Sequence, residues 1–245
     1  MIAFGTTDIG QKRTINQDSI FVSETSIGKL PNLFIVADGM GGHKAGDVAS
    51  RTSVETFVDF VSHTEMSDPV SIIDAAIKQA NDKVFELASS NPDYVGMGTT
   101  FVVASVIEDK VYIANVGDSR LYLINNDIVQ ITRDHSLVEE MVSIGELART
   151  EARTHLKKNI ITRAVGVEQN VVADIFQIDI QDGDKLLLCS DGLSNMVEDY
   201  DIKRVVTGGR SVKESVLQLV DMANANGGKD NISAVLIQPQ LEEVK

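Results

Sequence analysis

Cysteine is almost absent from this chain: Cys189 is the single one in 245 residues. One thiol cannot close an internal disulfide, which fits a reducing compartment, and its place in the apolar run 186–189 reads as a buried structural thiol rather than a reactive one. Proline is scarce as well, with four residues, and there is no Pro- or Ser-rich linker, low-complexity tract or internal repeat. The expectation is one continuous domain over residues 1–245. No apolar run approaches the ~20 residues that a membrane-spanning helix needs, and the N-terminus has no basic region followed by a long apolar stretch. A soluble, cytoplasmic protein is expected. Basic residues are also short, with 22 Lys and Arg against 36 Asp and Glu, a net charge of −14. A field of that sign repels nucleic acid and anionic membranes and attracts cations.

What the chain does contain is closely spaced strand patterns. The run 33–37 is apolar and meets Asp38-Gly39, which reads as a buried strand ended by a tight turn. Runs 101–107 and 111–116, then 121–124 and 128–131, are separated by three-residue polar turns and read as a β-meander. Runs 175–180 and 185–189 flank Gln181-Asp182-Gly183-Asp184 and read as a hairpin, and 232–237 is the last strand. Short turns between successive strands favour antiparallel sheets.

Helical periodicity appears in three places. Asp68-Pro69 is an N-cap with proline at the first helical position, followed by Ile73, Ala76, Ile77, Ala80, Val84 and Leu87 on one face. The segment 45–61 carries a similar stripe, and Val216, Leu219, Val220 and Ala223 repeat it before Gly227-Gly228. The predicted architecture is α+β: a four-layer α-β-β-α sandwich of two antiparallel sheets with outer helices. Residues 136–166 interrupt the strand pattern and read as a small helical flap.

The aspartates fall where chemistry can use them. Asp38, Asp118 and Asp191 each follow a predicted strand, and Asp230 precedes one. Four strand ends can gather at one rim of a sandwich. Carboxylates so gathered repel one another unless a cation is present, and oxygen donors without histidine or cysteine select hard ions, Mg²⁺ or Mn²⁺. Singly, each feature has a bland explanation. Asp-Gly is a common turn pair, Gly41-Gly42-His43 and Gly96–Thr100 could be plain loops, and Arg13 could be a solvated surface charge.

In order along the chain, they form a series: Arg13-Thr14-Ile15-Asn16-Gln17-Asp18, Val36-Ala37-Asp38-Gly39-Met40-Gly41-Gly42-His43, Gly96–Thr100, Val116-Gly117-Asp118-Ser119-Arg120, Leu188-Cys189-Ser190-Asp191-Gly192-Leu193 and Gly228-Lys229-Asp230-Asn231-Ile232. This series resembles the metal-dependent protein phosphatases of type 2C, in particular their compact bacterial serine/threonine phosphatases, over essentially the whole chain. The resemblance implies that Asp38 bridges two Mn²⁺ or Mg²⁺ ions, that the Gly39 carbonyl binds one of them, and that Asp191 and Asp230 hold the other. Asp118 with Asp191 would hold a third ion beside the flap. Arg13 would grip the substrate phosphate, Asp18 would support a metal-bound water, Asn231 would orient Asp230, and His43 is a candidate proton donor. A metal-bridging water would attack phosphorus directly, without a phospho-enzyme. Gln17 stands where many members carry glutamate, and Met40 where eukaryotic members carry histidine. Implied partners are phosphorylated proteins, including a cognate serine/threonine kinase, with no nucleic acid or membrane, and the implied form is a monomer. The other readings are a catalytically inactive phosphoprotein-binding module and a hydrolase of small phosphorylated metabolites, with Arg149, Arg153 and Arg163 of the flap offered to a protein substrate.

Overall fold

The structure is a computed structural model that describes residues 1–42 and 45–240; His43 lies outside them. In chain order the elements are β1 (Ile2–Asp8), β2 (Asp18–Ser23), β3 (Leu33–Met40), α1 (Ala45–His63), α2 (Pro69–Ser90), β4 (Gly98–Thr99), β5 (Phe101–Ile107), β6 (Lys110–Val116), β7 (Arg120–Ile124) and β8 (Ile128–Gln130). There follow α3 (Leu137–Ser143), α4 (Arg149–Ala152), β9 (Asp174–Asp179), β10 (Lys185–Cys189), α5 (Asp191–Ser194), α6 (Asp199–Thr207), α7 (Val212–Ala225) and β11 (Ile232–Gln238). One sheet has the order β1-β11-β10-β7-β8 and the other β2-β3-β5-β6-β9, with β4 paired to β3. Every pairing between these strands is antiparallel.

The two-residue period of the strands builds the layers. Leu33, Ile35 and Ala37 of β3 pack under α1 and α2 with Phe57, Val61, Ile73 and Ile77. The alternate residues Phe34 and Val36 face the gap between the sheets, where they join Val102, Leu186, Leu188, Val235 and Ile237. On the far side, Leu187, Cys189, Ala234 and Leu236 pack against Val216, Leu219 and Ala223 of α7. The result is the expected α-β-β-α sandwich. Burial pushes the Cys189 thiol up to about 12, so it is an inert core group. The helix starts also follow the sequence: Asp68 accepts from Ser71 N–H at 2.9 Å ahead of Pro69, and Ser211 and Glu214 form a capping box on α7. Among the described residues, no helix is long and apolar enough to cross a membrane.

Four local expectations differ from the structure, the first being the turn at Asp38-Gly39, through which β3 continues. The 175–189 segment is not a hairpin, because β9 pairs with β6 in one sheet and β10 sits between β11 and β7 in the other. The 101–131 meander divides in the same way, with β5–β6 in one sheet and β7–β8 in the other. A short polar turn reverses the chain whether the next strand pairs with its neighbour or crosses the sandwich, so local pattern cannot tell the two apart. In residues 136–166 only α3 and α4 are α-helical, and α4 is a single turn.

Candidate metal-binding and catalytic site

The crossing from β6 to β7 runs through Gly117-Asp118-Ser119 and sets Asp118 at a rim where both sheets end. In β3 the strand continues through Asp38-Gly39-Met40 instead of turning, and Asp38 lies opposite Asp18 of β2. Phe34 and Val36 face the gap between the sheets, so Asp38 is the next residue on that face; Val22, Ile20 and Asp18 follow the same alternation on β2. The backbone of Asp38 is clamped by the 96–100 motif. Its N–H donates to Thr100 Oγ1 at 2.9 Å, and its carbonyl accepts from Thr100 N–H and Thr99 Oγ1, each at 2.9 Å.

The Asp-Gly glycines serve close approach, not turns. Neither Gly39 nor Gly192 has a positive φ. A methyl group on Gly39 would run into the Gly46 backbone, and one on Gly192 into the carbonyl of Asn231. Those neighbours are backbone atoms that no rotamer change can move aside. Gly192→Ala should therefore destabilise the fold by about 1–3 kcal/mol, seen as a lower thermal midpoint; an unchanged midpoint would mean that α5 does not pack on the Asn231 backbone.

Asp191 opens α5, and its Oδ2 accepts from Asn195 Nδ2 at 2.9 Å. Asp230 precedes β11, pairs with Arg13 Nη2 at 2.8 Å and accepts at Oδ1 from Asn231 N–H at 2.9 Å. Asn231 thus orients Asp230 through its backbone. Its side chain does something else, donating to the carbonyls of Ile9 and Ile15 at 2.9 and 3.0 Å and accepting from Gln17 N–H at 2.9 Å. In this way it fixes the loop that carries Arg13. Asp18 Oδ2 accepts from Ser190 Oγ at 2.9 Å and Ser233 Oγ at 2.7 Å, joining the two sheets across the rim.

An open cleft of about 320 Å³ is lined by Arg13, Gln17, Asp38, Gly39, Asp118, Asp191 and Asp230, among others. Asp18 lies behind it, 7 % exposed. Burial, then Asp18, Asp191, Asp118 and Asp230 in turn, hold the Asp38 carboxyl well above the usual carboxylate range. Burial likewise pushes Asp18 up to about 7, with its two serine donors opposing, and Asp191 up to about 6, with the Asp230 charge adding to it. Asp118 is raised by burial and by Asp191 and Asp134. This is the signature of buried carboxylates packed together, only partly offset by nearby Arg13, Arg120 and Lys158.

Two carboxylate oxygens, Asp18 Oδ1 and Asp191 Oδ1, are buried without a hydrogen-bond partner. Unpartnered anionic oxygens in a cluster of carboxylates fit a hard cation better than any donor the chain supplies. Among the described residues, no group of three or more His, Cys, Asp or Glu side chains is gathered as a ready cage for one ion.

Sequence reasoning missed the polar side chains around the aspartates. Ser190, Ser233, Thr100 and Asn195 each hold an aspartate, and the only signal for them was adjacency to a motif or to a strand end. Lys158 Nζ donates to Asn195 Oδ1 at 3.0 Å, and through Asn195 it reaches Asp191. The arginines offered to a protein substrate are engaged within the chain: Arg149 pairs with Glu139, Arg153 donates to the carbonyls of Ser194 and Val197 at 2.8 and 3.0 Å, and Arg163 pairs with Asp174 at 2.7 Å.

A sequence profile described as Protein phosphatase 2C matches residues 5–237. The chain belongs to the protein phosphatase 2C family. Its relatives in that family include the serine/threonine phosphatase stp of Listeria innocua, 42% identical over 240 residues that cover 96% of this chain and 94% of the relative. The fold is similar to that of the serine/threonine phosphatase Stp1 from Staphylococcus aureus, with a TM-score of 0.91, 38% identity, and coverage of 97% and 94% of the two chains. It is also similar to the catalytic domain of the serine threonine protein phosphatase PstP in complex with 2 manganese ions, with a TM-score of 0.84, 31% identity, and 96% of each chain covered. Among these members of the protein phosphatase 2C family, manganese is thus named in one solved structure.

Proposed function

We propose that the chain is a metal-dependent serine/threonine protein phosphatase that hydrolyses phosphoserine and phosphothreonine by direct attack of water. The observation that carries the reading is the meeting of Asp18, Asp38, Asp118, Asp191 and Asp230 from both sheets beside Arg13, with two buried carboxylate oxygens unpartnered. Asp38, the Gly39 carbonyl, Asp191 and Asp230 would hold two Mn²⁺ or Mg²⁺ ions, and Asp118 with Asp191 a third. The chemistry such ions would supply is activation of a water and neutralisation of phosphate charge.

The chain's own groups do the rest. Arg13 is half-exposed and, among the described residues, pairs with the partly exposed Asp230, so its planar fork can turn to the equatorial oxygens of a phosphoryl group. Thr99 and Thr100 fix the backbone of Asp38, and two serines orient the Asp18 carboxylate, before substrate arrives. The leaving alkoxide takes a proton at its Oγ, and His43 is the side chain the sequence offers for that step. The substrates are phosphorylated proteins, a cognate serine/threonine kinase among them, and the enzyme works as a cytoplasmic monomer, one domain whose 136–166 segment forms a flap beside the cleft.

The test is phosphate release from phosphothreonine and phosphoserine peptides with Mn²⁺ or Mg²⁺. Turnover should appear with either metal and fall to background in excess chelator. Metal-independent turnover would refute the site, and binding of phosphopeptide without turnover would establish the inactive-module reading instead.

A further inference from the structure

A second, smaller pocket adjoins the carboxylate cleft, and the chemistry above does not use it. Met40, Ile161, Ala164, Val167 and Val171 form the apolar part of its lining, which Thr162, Arg163, Glu168 and Asn170 complete. Met40 and Ile161 line the carboxylate cleft as well, so the two depressions adjoin. The lining is anchored at one end and open at the other. Val171 is 6 % exposed and Ala164 7 %, whereas Val167 is 45 % exposed. Val167 and Met40 close over Gly98, where an added methyl would stand 2.6 Å from Val167 Cγ2 and 3.0 Å from Met40 Cε. Ile160 and Val172, the chain neighbours of Ile161 and Val171 in the lining, are also exposed. Apolar side chains gathered beside a strongly polar cleft mark a contact surface.

We propose that this pocket is a substrate subsite that takes an aliphatic side chain flanking the phosphorylated residue of a protein substrate. The inference rests on the phosphatase reading. Its occupant follows from the shared lining: a peptide whose phosphoryl group reaches Asp38 and Arg13 and whose chain runs over Met40 and Ile161 meets this pocket next. An extended peptide advances about 3.3 Å per residue and turns alternate side chains the same way, so a residue one or two places from the phosphorylated one reaches the pocket. The acidic cleft recognises phosphate through bound cations and arginine, which any phosphoprotein supplies. The apolar pocket adds discrimination between sequences that the phosphate cannot.

The experiment scans a single leucine through the three positions on each side of phosphothreonine in an otherwise alanine-serine peptide, with aryl phosphate as the control substrate. One position should raise kcat/KM by roughly tenfold or more over alanine, the scale of aliphatic contacts in an apolar pocket. Val167→Asp should erase that gain while leaving aryl phosphate turnover within about twofold, and Val167→Thr, which keeps the shape, should erase part of it. An enzyme active on aryl phosphate but with a flat leucine profile, or one whose preference survives Val167→Asp, overturns the subsite alone. An enzyme inactive on aryl phosphate and on every peptide overturns the phosphatase reading beneath it.

Discussion

Asp38→Asn should abolish turnover while making the metal-free protein more stable. The carboxylate stands among four others, and burial and mutual repulsion hold its pKa well above the ordinary range. A folded-state pKa above the unfolded value means that the ionised form opposes folding at neutral pH. Replacing the carboxylate by an amide of the same shape removes that opposition. It also leaves intact the clamp that Thr99 and Thr100 place on the backbone, since those bonds use the Asp38 N–H and carbonyl. The thermal midpoint in chelator should rise by several degrees, where each kcal/mol is worth about 2–4 °C for a chain of this size. Turnover should fall by roughly three orders of magnitude or more, because the amide carries no charge to hold ions. A rate near normal would remove Asp38 from the catalytic site. A lower midpoint in chelator would show that the carboxylate stabilises the fold rather than straining it. The opposite signs distinguish this residue from a core position, whose loss lowers both quantities together.

Divalent metal should stabilise the protein strongly at pH 8 and weakly near pH 5. Asp18 and Asp191, pushed up to about 7 and about 6, bind protons in the folded state over a range where the unfolded chain, with carboxyls near 3.8, has lost them. Over that window the folded state holds more protons than the unfolded one, so stability falls as pH rises. The loss begins above the unfolded value near 3.8 and is complete once pH passes the folded values, somewhat above 7. Metal-free protein should therefore unfold at a lower temperature at pH 8 than at pH 5.5. Bound cations replace the protons and remove the penalty. At a metal concentration 100 times Kd, one site contributes about 2.7 kcal/mol, or roughly 5–10 °C in this size range. Thermal melts with Mn²⁺ and with chelator across pH 5–8 give the answer, and a metal shift that does not grow with pH would separate metal binding from the carboxylate cluster.

The site was legible to different depths at different residues. Asp38, Asp118, Asp191 and Asp230 stood out because each sits in a short motif at a strand end, Arg13 stood out through the order of the motifs, and the cleft does bring them together. The purpose of the glycines beside them was misread from composition. Asp38-Gly39 looks like a turn, yet β3 continues through it and the missing side chain admits the Gly46 backbone. The serines and asparagines that hold the carboxylates were nearly invisible. Ser190 and Ser233 reach Asp18 from 172 and 215 residues away, and a hydroxyl gives no periodic signal.

By itself the sequence determined most of the long elements, though not β1, β2 or α6, and the residues that carry charge. These follow from local preference and from the two- and 3.6-residue periods, which are written into neighbouring positions. Only the tertiary structure decided which strands pair and which cross the sandwich. The turn after β9 and the crossing after β6 look like ordinary hairpin loops, and both instead carry the chain from one sheet to the other. The physical reason is that the two sheets share one buried interior, so a strand's hydrophobic face is satisfied in either sheet. The choice falls to pairing and packing between segments far apart in the chain, and with it the convergence of the aspartates on one cleft.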